Sequence, residues 1–147
     1  MSTKSELDAA LKDAMRAGDE QRKRTIRMVL ANIKNAEIDQ VAELDESGVV
    51  AIMQKEVKVR QESLADAERA GRSDLVSAAE EEIAILESFL PKPFSAEELD
   101  AMARQAIAEV QATSVREMGQ VMKVLIPRLQ GRATGDQASQ AVRRLLQ

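Results

Sequence analysis

Leu90-Pro91-Lys92-Pro93-Phe94-Ser95-Ala96-Glu97-Glu98-Leu99 is the stretch that divides this 147-residue chain. Each proline fixes its own φ, lacks a backbone donor and pushes the residue before it away from helical geometry. Two of them, one residue apart, end a helix near Leu90 and stiffen the connection that follows. Ser95 and Glu98 then form a capping box, in which the hydroxyl takes the Glu98 amide and the carboxylate takes the Ser95 amide. Leu99, Met102, Ala103, Ala106, Ile107 and Val110 continue at helical spacing.

Working towards the N-terminus, every segment reads as helix. Leu75, Ala79, Ile83, Leu86, Phe89 and Leu90 line one helix that starts at Ser73 or Asp74. Val49, Ile52, Met53, Val57 and Leu64 line another, from Asp45–Gly48 to about Gly71. The short Gly-Arg-Ser link makes these two an antiparallel hairpin. Before them, Ile26, Val29, Leu30, Ile33 and Ile38 mark a helix from about Glu20. Thr3-Lys4-Ser5-Glu6 is a capping box with Thr3 as the cap. It opens a helix with Leu7, Ala10, Leu11 and Met15 that stops at Gly18.

Towards the C-terminus, Ser114-Val115-Arg116-Glu117 is a third capping box, and the helix it opens runs to Gly131. Asp136 is expected to cap a last helix that buries Ala138, Ala141, Val142, Leu145 and Leu146. No segment reads as strand, and no repeat is evident. The expected fold is all-α: an N-terminal four-helix region, residues 1–92, joined by a Pro-containing hinge to a small three-helix C-terminal domain, residues 93–147.

Composition narrows the chemistry. Hydrophobic residues make up 44% and charged residues 31%, a folded rather than disordered profile. Aromatics are 1%, so aliphatic residues, Ala and seven Met must fill the core. With no Cys and no His, disulfides, Cys- or His-ligated metals and Ser-His or Cys-His nucleophile pairs are excluded. Glu80, Glu81 and Glu82 point in three directions on a helix and cannot share one metal. No phosphate-binding or dinucleotide glycine loop is present. No catalytic constellation, cofactor site or metal site is therefore expected. No apolar run reaches the length of a membrane span, so no membrane partner is expected. The first residues lack an apolar signal region, which gives a cytoplasmic location as the default. The oligomeric state is not encoded in any of these signals.

Net charge is −4, which argues against DNA as a partner. The charge is uneven, because residues from Met118 onward carry five basic side chains (Lys123, Arg128, Arg132, Arg143, Arg144) against one acid, Asp136. Arg22, Lys23, Arg24 and Arg27 form a second basic cluster that reads as a solvated helix face.

The segment Glu117–Gly135 concentrates glycine, proline and basic residues. On a helical wheel Met118, Val121, Met122, Leu125 and Leu129 face the core. Gly119, Gln120, Lys123, Pro127 and Gln130 fall on the opposite side, with no acid among them. Pro127 cannot donate to the carbonyl of Lys123, so the helix should bend there. Gly119 either invites close approach of a partner or packs against a neighbouring helix. With Lys123 and Arg128 beside it, the outer stripe has parts suited to a phosphate backbone. Gly131-Arg132-Ala133-Thr134-Gly135 could offer backbone N–H groups to an anion or form a plain turn.

Leu86-Glu87-Ser88-Phe89-Leu90-Pro91, Ser95-Ala96-Glu97-Glu98-Leu99, Met118-Gly119-Gln120-Val121-Met122-Lys123 and Gly131-Arg132-Ala133 resemble a YqeY-type protein over nearly the whole chain. The C-terminal half is similar to the tail domain of the B subunit of the glutamine-dependent aspartyl/glutamyl-tRNA amidotransferase (GatB). Gln130 and Thr134 depart from that pattern, which commonly has Lys at the first and Asp or Asn at the second. The resemblance implies a helical bundle followed by a three-helix domain that helps to hold tRNA. It also implies an association with carbon–nitrogen ligase systems that use glutamine as amido donor. It does not imply catalysis, because the catalytic cradle of that enzyme has no counterpart here. The positions implied to face tRNA or a tRNA-handling enzyme are Gly119, Lys123, Gly131 and Arg132, with Pro127 and Arg128 beside them. The alternative is a protein–protein interaction module with no RNA ligand.

Overall fold

All regular structure in the computed structural model, which describes residues 2–147, is helical. In order these are α1 Thr3–Ala17, α2 Glu20–Gln40, α3 Glu46–Arg69, α4 Ser73–Glu87, α5 Ala96–Val110, α6 Met118–Leu129 and α7 Gly135–Leu146. A 3-10 turn, Val115–Glu117, precedes α6. The all-α expectation holds. The chain forms two compact units, one ending at Leu90 and one spanning Pro91–Gln147.

The first unit buries Leu7 of α1, Ile26, Val29 and Ile33 of α2, Val49, Met53 and Val57 of α3, and Leu86 of α4. These positions recur every three or four residues, so each helix presents one apolar stripe to a shared aliphatic core. The α3–α4 pairing is the most extensive in the unit, in line with the short link between them. In the second unit, Ala103 and Ala106 of α5, Val121, Leu125 and Leu129 of α6, and Ala138, Ala141 and Val142 of α7 form a separate core. Alanine at these points lets the helix axes approach closely.

Polar side chains fasten the helix ends of the first unit. The Glu46 carboxylate, in the first turn of α3, accepts the Thr3 hydroxyl and the Thr3 N–H at 3.1–3.2 Å. This contact displaces the expected cap. Ser2, one residue earlier, caps α1 by accepting the Ser5 N–H at 3.1 Å, and Thr3 becomes the first helical residue. Glu37, near the end of α2, accepts the Leu44 N–H at 2.9 Å and the Lys4 ammonium at 3.0 Å. Arg60 of α3 is 7% exposed. Its guanidinium donates to the Glu82 carboxylate of α4 at 3.0 Å and to the Glu56 carboxylate at 2.6 Å. Asn32 of α2 donates to the other Glu56 oxygen, so one buried cation ties three helices. Among the described residues no buried side-chain N or O lacks a partner, the condition under which such a buried charge is tolerated.

Three helices end on a non-glycine residue in the left-handed region: Val41 (φ 56), Gln111 (φ 58) and Gln130 (φ 49). Val41 is the least suited, since a β-branched side chain there costs about 1–2 kcal/mol. It is also 89% exposed, so no packing offsets that cost.

Two further caps differ from expectation. The Ser114–Glu117 box does not form. Glu117 instead accepts the Thr113 N–H at 3.3 Å and the Thr113 hydroxyl at 3.1 Å. Thr134, not Asp136, caps α7, through a reciprocal box with Gln137 at 3.0 and 3.1 Å. The Ser95–Glu98 box forms as read, at 2.9 and 3.1 Å.

Glu37 supplies a pH-dependent prediction. The Leu44 N–H, and then the Lys4 ammonium, hold its carboxyl below the ordinary value of 4.5. A carboxyl with a depressed pKa adds stability above its unfolded pKa and loses it as pH falls through its folded pKa. In urea titrations Glu37→Gln should lower the unfolding midpoint at neutral pH. The gap to the parent should close as pH drops below 4.5, because protonated Glu37 then resembles glutamine. A gap that stays constant into strong acid would contradict this assignment.

Candidate functional site

The apolar stripe of α6 fixes what its other side can do. Val121, Leu125 and Leu129 are buried, with Met118 and Met122 half-buried. The wheel therefore places Gly119, Gln120, Lys123, Pro127 and Gln130 outward, and all five are exposed. A Cβ built on Gly119 would meet nothing within 4 Å. The reading in which Gly119 packs against a neighbouring helix is thereby removed. Its missing side chain leaves bare backbone in an exposed helix, where glycine costs about 1 kcal/mol against alanine. The helix runs through Pro127 to Leu129. Because proline has no N–H, the carbonyl of Lys123 lacks its usual helical donor.

The cations of this region are not equivalent. Lys123 is exposed and makes no ion pair. Arg128 is held by Glu109 of α5 at 2.7 Å, with both side chains 41% exposed, an arrangement that neutralises part of its charge at little stability gain. Arg132 is engaged on several sides. Its Nε donates to the Lys92 carbonyl at 2.8 Å, and its guanidinium lies 4.1 Å from the centre of the Phe94 ring. Its own carbonyl accepts the Phe94 N–H at 2.9 Å, and Glu98 lies 3.9 Å away. Gly131, beside it, takes φ 76, which glycine adopts freely. Gln130 and Gly131 together make a left-handed step that reverses the chain between α6 and α7. The turn serves to fasten Lys92 and Phe94, which leaves Arg132 a poor choice for a mobile phosphate contact.

The structure thus brings Gly119, Lys123 and Pro127 together on one acid-free face and sets Arg128, Gly131 and Arg132 at its margin, in structural contacts. The wheel reading passed over Ile126. It lies at the edge of the same face and is 52% exposed, an apolar contact that the face would offer any partner.

A shallow hollow of about 380 Å³ lies elsewhere in this unit, lined by Arg104, Ile107, Gln111, Thr113 and Leu145 among others. None of the outer residues of α6 borders it. Among the described residues no group of three or more Asp or Glu could hold a metal ion. No helix among them is long and apolar enough to cross a membrane.

The family of Yqey-like proteins matches residues 4–146. Among curated relatives, "Altered inheritance of mitochondria protein 41, mitochondrial" of Lachancea thermotolerans is 37% identical over 122 residues, 77% of this chain and 65% of the relative. The protein of the same name from Kluyveromyces lactis is 41% identical over 108 residues, 71% of this chain and 58% of its own length. That of Eremothecium gossypii is 38% identical, covering 73% and 60%. The chain thus spans 58 to 65% of the length of these relatives. Their names also correct the cytoplasmic expectation, since each is a mitochondrial protein. That expectation rested on a missing apolar signal region, and mitochondrial targeting segments are amphipathic and Arg-rich, with no apolar core to look for. The match from residue 4 to residue 146, on an all-helical chain, shows that the protein belongs to the Yqey-like family.

Proposed function

We propose that this protein is a non-catalytic docking protein that binds tRNA, or an enzyme handling tRNA, through the outer face of α6. It would work alongside tRNA-dependent amidotransferase systems, which are carbon–nitrogen ligases with glutamine as amido donor. The observation that carries the reading is the pairing of an open backbone at Gly119 with an unpaired Lys123 on a face that lacks acids. A phosphate can approach bare helix backbone closely, and a flexible ammonium reaches it as a point charge. In this proposal residues 93–147 act as a tail-like three-helix domain, and the Pro91–Pro93 segment is the hinge that carries it. The names of the relatives favour a mitochondrial setting. The half-exposed Ile126 on the same face supports the second reading, a protein partner with no RNA.

Fluorescence anisotropy with labelled tRNA at several salt concentrations tests the proposal. Binding should weaken as salt rises, and Lys123→Glu should weaken it about fivefold and reduce the salt slope by about one. Absence of detectable binding at low salt would sink the RNA reading. A partner that survives nuclease treatment in a pull-down would support the second one. Gly119→Ala separates folding from docking. It should raise thermal stability by about 1 kcal/mol, because the new methyl meets no neighbour. It should also weaken tRNA binding, because the same methyl stands where the phosphate approaches. Unchanged affinity in this variant would remove Gly119 from the interface.

A further inference from the structure

Arg128 and Arg132 are both engaged, but they are held in different ways. Arg132 is gripped by the Lys92 carbonyl and the Phe94 ring. Arg128 meets one carboxylate, that of Glu109, at 2.7 Å, and both side chains stay 41% exposed. A pair this open to water adds little stability, because solvent and salt screen it. The two partners are also unequally placed. Arg128 sits in the last turn of α6, where the negative end of the helix dipole favours a cation. Glu109 sits near the end of α5, Ala96–Val110, whose last turn carries no basic residue. The same end of its own helix therefore opposes its charge. Helix stability does not account for a carboxylate at position 109, and what the position offers it is Arg128.

We propose that Glu109 sets the affinity of the α6 face for a phosphate backbone by covering Arg128, which makes it a specificity-determining residue. The proposal rests on the tRNA reading above. Arg128 lies five residues beyond Lys123, a rise of roughly 7.5 Å along α6, so the two cations can meet different phosphates of one strand. Carboxylate and phosphate both present paired oxygen acceptors to a guanidinium, so they compete for the same donors. A strand docked on Gly119 and Lys123 reaches Arg128 only by displacing Glu109. That displacement leaves the carboxylate beside the phosphates without its partner, and like charges repel. The exchange returns little, so the face engages RNA through Lys123 while Glu109 holds Arg128 back. Arg132 offers no such reserve, because its contacts also hold the segment before α5.

Anisotropy titrations of labelled tRNA with the intact chain at several salt concentrations test this. Glu109→Gln should tighten binding about fivefold at low salt and steepen the salt slope by about one, because one more phosphate is neutralised. Its melting temperature should stay close to the parent's, since the exposed pair stabilises little. Adding Arg128→Gln to that variant should return both affinity and slope to the parent's values. Glu97→Gln removes an exposed acid from the first turn of α5 and controls for net charge. It should change affinity less than about twofold, because a charge that far away is screened. If the parent binds, three results would each overturn the role of Glu109 and leave the tRNA reading standing: no change in Glu109→Gln, an equal gain in Glu97→Gln, or a gain that survives Arg128→Gln. No binding by any of these chains at low salt would overturn both.

Discussion

Phe89 and Phe94 flank the Leu90–Pro93 segment, and each carries an arginine guanidinium from its own unit: Arg22 at 5.4 Å and Arg132 at 4.1 Å. The sequence contains two Phe, no Trp and no Tyr, so all of its aromatic surface is committed where the chain leaves one unit and enters the next. Such a contact is worth about 0.5–2 kcal/mol depending on solvent access. Arg132 adds a hydrogen bond to the Lys92 carbonyl and receives the Phe94 N–H on its own carbonyl. The turn after α6 therefore holds the segment that leads into α5. The functional reading depends on this constraint, because a guanidinium held by three groups is not available to a phosphate.

The same scarcity of aromatics shapes both cores. Aliphatic side chains and alanines bury little area each, and the energy of burial scales with area. The first unit compensates at its edges with polar ties. Thr3 with Glu46 ties α1 to α3, Lys4 with Glu37 ties α1 to α2, and Arg60 with Glu82 ties α3 to α4. Of these the Arg60 network holds the buried cation. Removing one member would leave another charge buried without its counterpart, and that asymmetry holds the set together.

The features legible in the sequence were the periodic and local ones. The wheel of α6 correctly separated Val121, Leu125 and Leu129 from Gly119, Lys123 and Pro127, because burial follows a 100° period. The Ser95–Glu98 box was legible for the same local reason. The Thr134–Gln137 box obeys the identical spacing, but Asp136, a strong cap by type, drew the assignment away from it. Contacts across long separations left no such trace. Nothing near Thr3 indicates that Glu46, 43 residues away, will claim its hydroxyl and shift the cap to Ser2. Nothing near Arg132 shows that its partner is Lys92, 40 residues earlier. Counting basic residues therefore overstated the charge of the C-terminal face, where Arg128 and Arg132 are spent within the fold.

That correction bears on how a docking face of this kind can act. With Lys123 the cation left unpaired on the outer side of α6, charge alone supplies little affinity, since each neutralised phosphate adds about one to the salt slope. The face must then work mainly by shape: an open backbone at Gly119, a proline that cannot close the helical ladder at Lys123, and an apolar edge at Ile126. In the proposed role such a surface would orient a partner that other contacts hold. A protein with such a face would gain from being brought to its target by a second site, because a linked second contact forms at a high effective concentration.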